Sequence, residues 1–374
     1  MNRVKLFLKN EAVTVISFFL AVVSCFFVPF DKTYFSYVDY RTLALLFCLM
    51  AVTAGLNALG VFRAMASFLL KKSGSSRGLS LMLVWLCFVF STVITNDVAL
   101  ITFVPFTITA LKLCGRQSKL PWLITLETVA ANLGSMLTPI GNPQNLYLFS
   151  YFHLDFSPFF RAVAPYGFFS LLLLTVISLW GKKESVKVEG EAAALNFSAK
   201  EKGKLTAYAL LFVLALLTVF RVIPYYITLG ITLAALLCLD RGTIGKVDYS
   251  LLLTFVFLFV FIGNLGRIES IEQFLSAKVR GNEVMCGVLC SQVFSNVPTA
   301  ILLSGFTQNA SGLLTGVNLG GLGTLIASMA SLISYKFVTK EKLGSGKYIG
   351  IFTAVNLVFL VILLALYYLT ELVF

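Results

Sequence analysis

Long apolar stretches alternate with short polar ones along the whole chain. Residues 12–29, 42–62, 79–111, 121–150, 163–181, 205–222, 224–239, 249–265, 284–307, 311–335 and 348–370 are predominantly apolar. A helix needs about 17–25 such residues to cross roughly 30 Å of hydrocarbon. The pattern predicts an all-α polytopic membrane protein with about nine full spans and two further segments that do not span. One polar interruption stands out. TPIGNPQN, residues 138–145, brings two prolines, a glycine, two asparagines and a glutamine into the middle of an apolar run. Proline and glycine break a helix there, and the side chains around them are hydrogen-bonding groups.

Composition agrees with the pattern. Of 374 residues, 58% are hydrophobic and 12% charged, and the mean hydropathy is +0.91, too apolar for a soluble domain. The net charge of +12 would suggest nucleic acid in a soluble protein, but here the basic residues gather in short loops between apolar runs, so no nucleic-acid partner is expected. The expected location is the cell membrane, such as the bacterial inner membrane, crossed many times. The first run follows Arg3, Lys5 and Lys9, lacks a clear small-residue cleavage site, and reads as a retained helix with a cytoplasmic N-terminus. The seven cysteines are scattered, with no CxxC pair or zinc spacing, and read as free thiols. An enzyme is not expected: there is no HExxH, and the single histidine, His153, leaves no nucleophile, base and orienter set.

The positive-inside rule fixes a topology with one anomaly. Arg63, Lys71, Lys72 and Arg77 belong inside, and so do Lys112, Arg116 and Lys119, yet only residues 79–113 lie between them. Two arms of roughly 16 residues reach only about 24 Å each, which predicts a re-entrant hairpin whose tip is Thr95-Asn96-Asp97. Non-helical backbone at such depth must line a cavity or be buried in protein. A helix broken at 138–145 follows, over 121–150.

The second half echoes the first in order. Val38-Asp39-Tyr40 recurs as Val247-Asp248-Tyr249, Thr95-Asn96 as Ser295-Asn296, and ANLGSMLTPIGNPQN (131–145) aligns with VNLGGLGTLIASMAS (317–331). Charge places the two copies in opposite orientation. The expected organisation is therefore a first repeat, 1–181, with hairpin 79–113 and broken helix 121–150; a cytoplasmic linker, 182–204; and an inverted second repeat, 205–374, with hairpin 284–307 and broken helix 311–335. Inverted repeats with discontinuous helices are a recurrent build of secondary transporters. Residues 60–72 and 268–280, charged among apolar positions, read either as amphipathic interfacial helices or as helix ends.

A broken helix exposes amides that attract anions and carbonyls that, with amide and hydroxyl side chains, coordinate sodium. The substrate-binding residues expected on this ground are Thr95, Asn96, Asp97, Thr138, Gly141, Asn142, Ser295, Asn296, Thr299 and Thr324. Those expected to hold sodium are Thr95, Asn96, Asp97, Asn132, Gly141, Asn145, Ser295, Asn296, Asn318 and Gly321. No cofactor is expected beyond a coupling sodium ion or proton. An intramembrane acid marks an ion or proton site; Asp97 is one, and also a good cap for the returning arm. Glu127 reads either as a relay partner of Asp97 or as a residue near the cytoplasmic end that meets water or Lys119. No Lys or Arg falls in the deep part of either hairpin or broken helix.

TNDVALITFVPF (95–106), NLGSMLTPIGNPQN (132–145), SNVPTAILLSG (295–305) and NLGGLGT (318–324) resemble the ion transporter superfamily. Its members include arsenite permeases, citrate-transporter-like proteins, NhaD-type sodium/proton antiporters and divalent anion:sodium symporters. The resemblance implies a homodimer with a scaffold domain and a transport domain that moves as an elevator, carrying a small anion, a carboxylate or an inorganic oxyanion, with sodium or protons. The symporters carry Ser-Asn-Thr at each tip, whereas the third position here is Asp97 or Val297, so the citrate-transporter-like or arsenite-permease branch fits better. The alternative function is sodium/proton antiport through Asp97.

Overall fold

The computed structural model describes residues 11–70, 75–113, 115–180, 197–341 and 345–373. Arg3, Lys5, Lys9, Lys71, Lys72, Cys114, Lys342 and the linker up to residue 196 lie outside the described residues. The described chain is helical. In the first half the helices are α1 (Ala12–Cys25), α2 (Thr33–Tyr37), α3 (Tyr40–Ala58), α4 (Val61–Leu70), α5 (Ser76–Ile94), α6 (Asn96–Leu113), α7 (Leu120–Ser135), α8 (Pro143–Tyr151) and α9 (Phe156–Leu179). After them come α10 (Ala199–Val219), α11 (Tyr225–Leu239), α12 (Arg241–Ile244), α13 (Tyr249–Leu265), α14 (Glu269–Val279), α15 (Glu283–Phe294), α16 (Asn296–Ser304), α17 (Ala310–Gly320), α18 (Met329–Lys340) and α19 (Ser345–Val373).

Among the described residues, α3, α5, α9, α10 and α19 are each long and apolar enough to cross a membrane. Together with the shorter apolar helices they make this a multi-pass membrane protein. Their outer surfaces are greasy in the way lipid requires: Val89 of α5, Leu172 of α9, Leu210 of α10 and Val361 of α19 are all exposed. Helix α14 follows α13 after a bend of 104°, so residues 269–279 form a separate helix rather than the end of a span.

Local chemistry explains where the helices begin. Asp39 caps α3 by accepting from the Thr42 amide at 3.0 Å, and Asp248 caps α13 by accepting from the Leu251 amide at 2.9 Å, so the two Val-Asp-Tyr copies do the same job. Ser198 and Glu201 form a reciprocal capping box at the start of α10. Asn142 caps α8 with Pro143 as the first helical residue.

The interior is built around α7. It packs against α5, α6, α9, α18 and α19, and residues 120–135 are buried except Trp122. Its closest approach is to α5, where a methyl group on Gly134 would sit 2.2 Å from the Phe88 carbonyl oxygen. Small residues at such a crossing let two membrane helices touch backbone to backbone. In the second half α15 packs against α16 and α17 much as α5 packs against α6 and α7. A separate group, α10 and α11 with α3, forms its own apolar cluster around Phe47, Val52, Tyr208 and Leu236.

Candidate functional site

Two one-residue turns organise the site. Thr95 is the single residue between α5 and α6, and Ser295 the single residue between α15 and α16. Both have left-handed φ, 74° and 72°, with ψ of 150° and 156°. That backbone region is almost reserved for glycine and costs about 1–3 kcal/mol for other residues, so it persists only where the surroundings hold it.

The surroundings here are the interrupted helices. The Asn96 amide donates to the Gly141 carbonyl at 3.1 Å, and the Asn296 amide donates to the Ala327 carbonyl at 2.9 Å. Each tip therefore offers its first free helix-start amide to a carbonyl in a break. The first break runs from Met136 to Asn142, between α7 and α8, and the second from Gly321 to Ser328, between α17 and α18. Asn145 closes the first by donating through Nδ2 to the carbonyls of Ser135, Met136 and Thr138 at 3.3, 3.2 and 3.1 Å. These are carbonyls a continuous helix would have paired internally.

Asparagine side chains join the two halves. Asn96 Nδ2 donates to Asn132 Oδ1 at 3.1 Å, which also accepts from Ser328 Oγ at 3.0 Å. Asn132 Nδ2 points to the Gly321 carbonyl at 3.5 Å. Asn142 Nδ2 donates to Asn318 Oδ1 at 3.1 Å, and Asn318 Nδ2 donates to Asn145 Oδ1 at 2.7 Å. Asn96, Asn132, Asn142, Asn145, Asn296 and Asn318 are all buried. Satisfied buried networks of this kind fix one geometry. Gly141 is required at its position, since a Cβ there would lie 2.1 Å from the Ser135 carbonyl oxygen.

Beside the network lies a cavity of about 160 Å³. The first tip contributes Thr95 and Asp97, the first break Ile140 and Asn142, and α3 contributes Leu49 and Thr53. The segment before α13 adds Lys246 and Asp248. Asp97 Oδ1 is buried without a hydrogen-bond partner, and so is Thr299 Oγ1, one turn past the second tip. A neighbouring cleft of about 480 Å³ shares Ile101 with this cavity and is lined by Asn57, Arg63 and Thr102.

Not every residue singled out from sequence reaches the cavity. Ser295, Asn296, Thr299, Asn132, Asn145, Asn318 and Gly321 stand outside its wall, most of them within the network behind it. Thr138 uses its hydroxyl on the Thr92 carbonyl. Thr324 is exposed, its amide donating to Gln292 Oε1 at 2.9 Å, so it is not brought to the cavity. Glu127 is fully buried and accepts from the Thr107 hydroxyl, not from Lys119. Three residues had no part in the sequence reading of the site. Gln292 donates to the carbonyls of Gly320 and Leu322 at 3.0 and 2.9 Å and so ties off the second break; a glutamine four residues before Asn296 in an apolar helix was the available signal. Lys246 and Asp248 reach the cavity from a loop distant in sequence.

Residues 6–312 match the family described as "Citrate transporter". The chain belongs to the citrate transporter family. This citrate-transporter-family protein is 35% identical to an uncharacterized transporter of Methanocaldococcus jannaschii over 88% of this chain and 90% of that one. It is 31% identical to inner membrane protein YbiR of Escherichia coli over 85% of each chain. A silicon efflux transporter of Oryza sativa is 30% identical over 47% of this chain and 37% of its own. The superfamily resemblance of the tip and break motifs thus agrees with full-length similarity to transporters.

Proposed function

We propose that this protein is a secondary active transporter of a small anion, a carboxylate or an inorganic oxyanion, driven by sodium or protons. The observation that carries the reading is the pair of tip-to-break hydrogen bonds, Asn96 to Gly141 and Asn296 to Ala327, joined by one asparagine network beside a solute-sized cavity. The shared backbone angles and the shared bond at the two tips support an inverted repeat with two hairpins, and the charge and apolar pattern supports about nine spans with the N-terminus in the cytoplasm. In this reading the hairpins and broken helices form the moving body of an elevator, and α3, α10 and α11 belong to the scaffold, which the superfamily resemblance makes a homodimer.

The anion would meet Lys246, the hydroxyl of Thr95 and the amide of Asn142, with Asp97 neutral or balanced by a bound cation. Sodium would bind at the tips, where Asp97 Oδ1 and Thr299 Oγ1 lack partners and hydroxyl, carbonyl and amide oxygens are close by. Such oxygen donors suit a hard monovalent cation.

Asp97 and Asp248 facing one cavity favour a second reading, sodium/proton antiport with Asp97 as the carrier. Proteoliposomes separate the two. On the first reading, an inward sodium or pH gradient accumulates labelled citrate or another small oxyanion from a screened set. If no anion is accumulated, and sodium leaving the vesicles instead draws protons in and acidifies the lumen, the antiporter reading replaces the first. Asp97→Asn should alter the sodium or pH dependence; an unaltered profile would reduce Asp97 to a helix cap.

A further inference from the structure

Glu127 and Glu283 are buried acids outside the cavity wall, and of the two Glu127 leaves a carboxylate oxygen without a partner. It sits seven residues into α7, about 10 Å along the helix, and is completely buried. Its Oε1 accepts from the Thr107 hydroxyl of α6, while its Oε2 is buried without a partner. The groups around it are hydroxyls. Thr128 donates to the Ile124 carbonyl and to Ser334 Oγ of α18, both at 2.7 Å. Tyr348 of α19 lies within electrostatic reach of Glu127, with its hydroxyl beside Thr128 and Ser334. Cys87 of α5 is also within that reach. The elements α6 and α18 carry the ion pair Lys112–Glu341, whose charges neutralise each other. No ion pair of the described residues uses Glu127.

An ionised carboxylate buried in such a place is costly unless it is paired, and the partner here is one hydroxyl. As an acid it carries an O–H on Oε2 for which this conformation provides no acceptor. Both protonation states are thus incompletely satisfied here, as expected of a group that changes state during a cycle and not of a permanent structural bond. Its position connects it to the first tip. Thr107 lies on the helix that begins at Asn96, and Glu127 lies five residues before Asn132, which accepts from Asn96.

We propose that Glu127 is a proton-carrying site, separate from the cavity, and that it couples transport to a pH gradient. The step is one carboxylate taking one proton on Oε2 at one membrane face and returning it at the other, with no other bond made or broken. It rests on the transporter reading for its coupling role, while the protonation itself can be measured without any substrate.

Two measurements test it. Infrared difference spectra of the purified protein between acid and alkaline pH should contain a carboxylic-acid carbonyl band that Glu127→Gln removes and Glu127→Asp retains. Thr107→Val, which takes away the hydrogen bond to Oε1, should move that band to higher frequency, and this arm stands even if Glu127→Gln does not fold. In proteoliposomes with labelled citrate as probe, Glu127→Gln should keep citrate-for-citrate exchange and lose at least tenfold in accumulation driven by a pH gradient. A spectrum unchanged by both substitutions, or full pH-driven accumulation by Glu127→Gln, overturns the proposal. If the wild type carries no citrate, the substrate reading fails, and the infrared band alone still decides whether Glu127 takes up the proton.

Discussion

Gly141 offers a direct test of whether the break is a fitted joint. In Gly141→Ala the added methyl carbon would stand 2.1 Å from the Ser135 carbonyl oxygen and 2.8 Å from Ser135 Cα and its carbonyl carbon. Carbon atoms in contact are normally about 3.5–4.0 Å apart, and the obstructing atoms are backbone, so the break has to open. Overpacking of a tight interior costs about 1–3 kcal/mol. The Gly141 carbonyl also holds the Asn96 amide, and losing a buried hydrogen bond adds about 0.5–1.5 kcal/mol. The expected destabilisation is therefore about 1.5–4.5 kcal/mol, read as a lower melting temperature in detergent together with loss of uptake of the proposed anion. The matching control is Gly230→Ala in α11, where nothing lies within 4 Å of the new methyl. There the change should stabilise by about 0.5–1 kcal/mol, because alanine loses less chain entropy in a helix. Gly141→Ala melting at or above the wild type, with uptake intact, would refute the account of the break.

Three further outcomes follow from the same geometry. Asn96→Ala and Asn296→Ala should each abolish uptake while leaving a monodisperse, folded protein on size-exclusion chromatography; normal uptake in both would remove the tips from the transport site. Lys246→Ala should raise the half-saturating anion concentration about tenfold, equivalent to roughly 1.4 kcal/mol, and Lys246→Arg should restore most of it; no change in either would show that Lys246 does not touch the anion. On the surface, hydrogen bonds from the Thr33 side chain and the Arg267 guanidinium, 2.9 Å from Asp31, hold the Asp31 carboxyl below its ordinary value of 3.8. A lowered acid stabilises the fold above that value and stops doing so as pH falls through the folded one. The melting temperature of Asp31→Asn should therefore lie slightly below that of the wild type from neutral pH down to about 4 and converge with it at lower pH; a constant gap would refute the pair's role.

Sequence and structure agree where the signal is local. Thr95-Asn96, Ser295-Asn296 and the GNPQN break were legible because polar, helix-breaking residues inside apolar runs have few reasons to be there. For residues 268–280 the charges left open an interfacial helix or a helix end, and the 104° bend after Leu265 makes them a separate helix. Contacts between distant segments were not. Lys246 reads as an ordinary loop cation, and only the packing of the α12–α13 segment against α3 turns it toward the cavity. Thr324 matched the position of Thr138 in the aligned motifs, yet Gln292 holds it at the surface. Glu127 could be placed on a helix by its neighbours, but whether it met Lys119 or Thr107 depended on how α6 folds back on α7, which periodicity does not encode.

The positive φ at Thr95 and Ser295 has a mechanical corollary. A turn that would relax if left alone, and is kept taut only by a carbonyl on the neighbouring broken helix, cannot flex without releasing that carbonyl. Hairpin and broken helix are thereby locked into one unit, and under the elevator proposal its displacement would be taken up at its borders, where α4 and α14 attach.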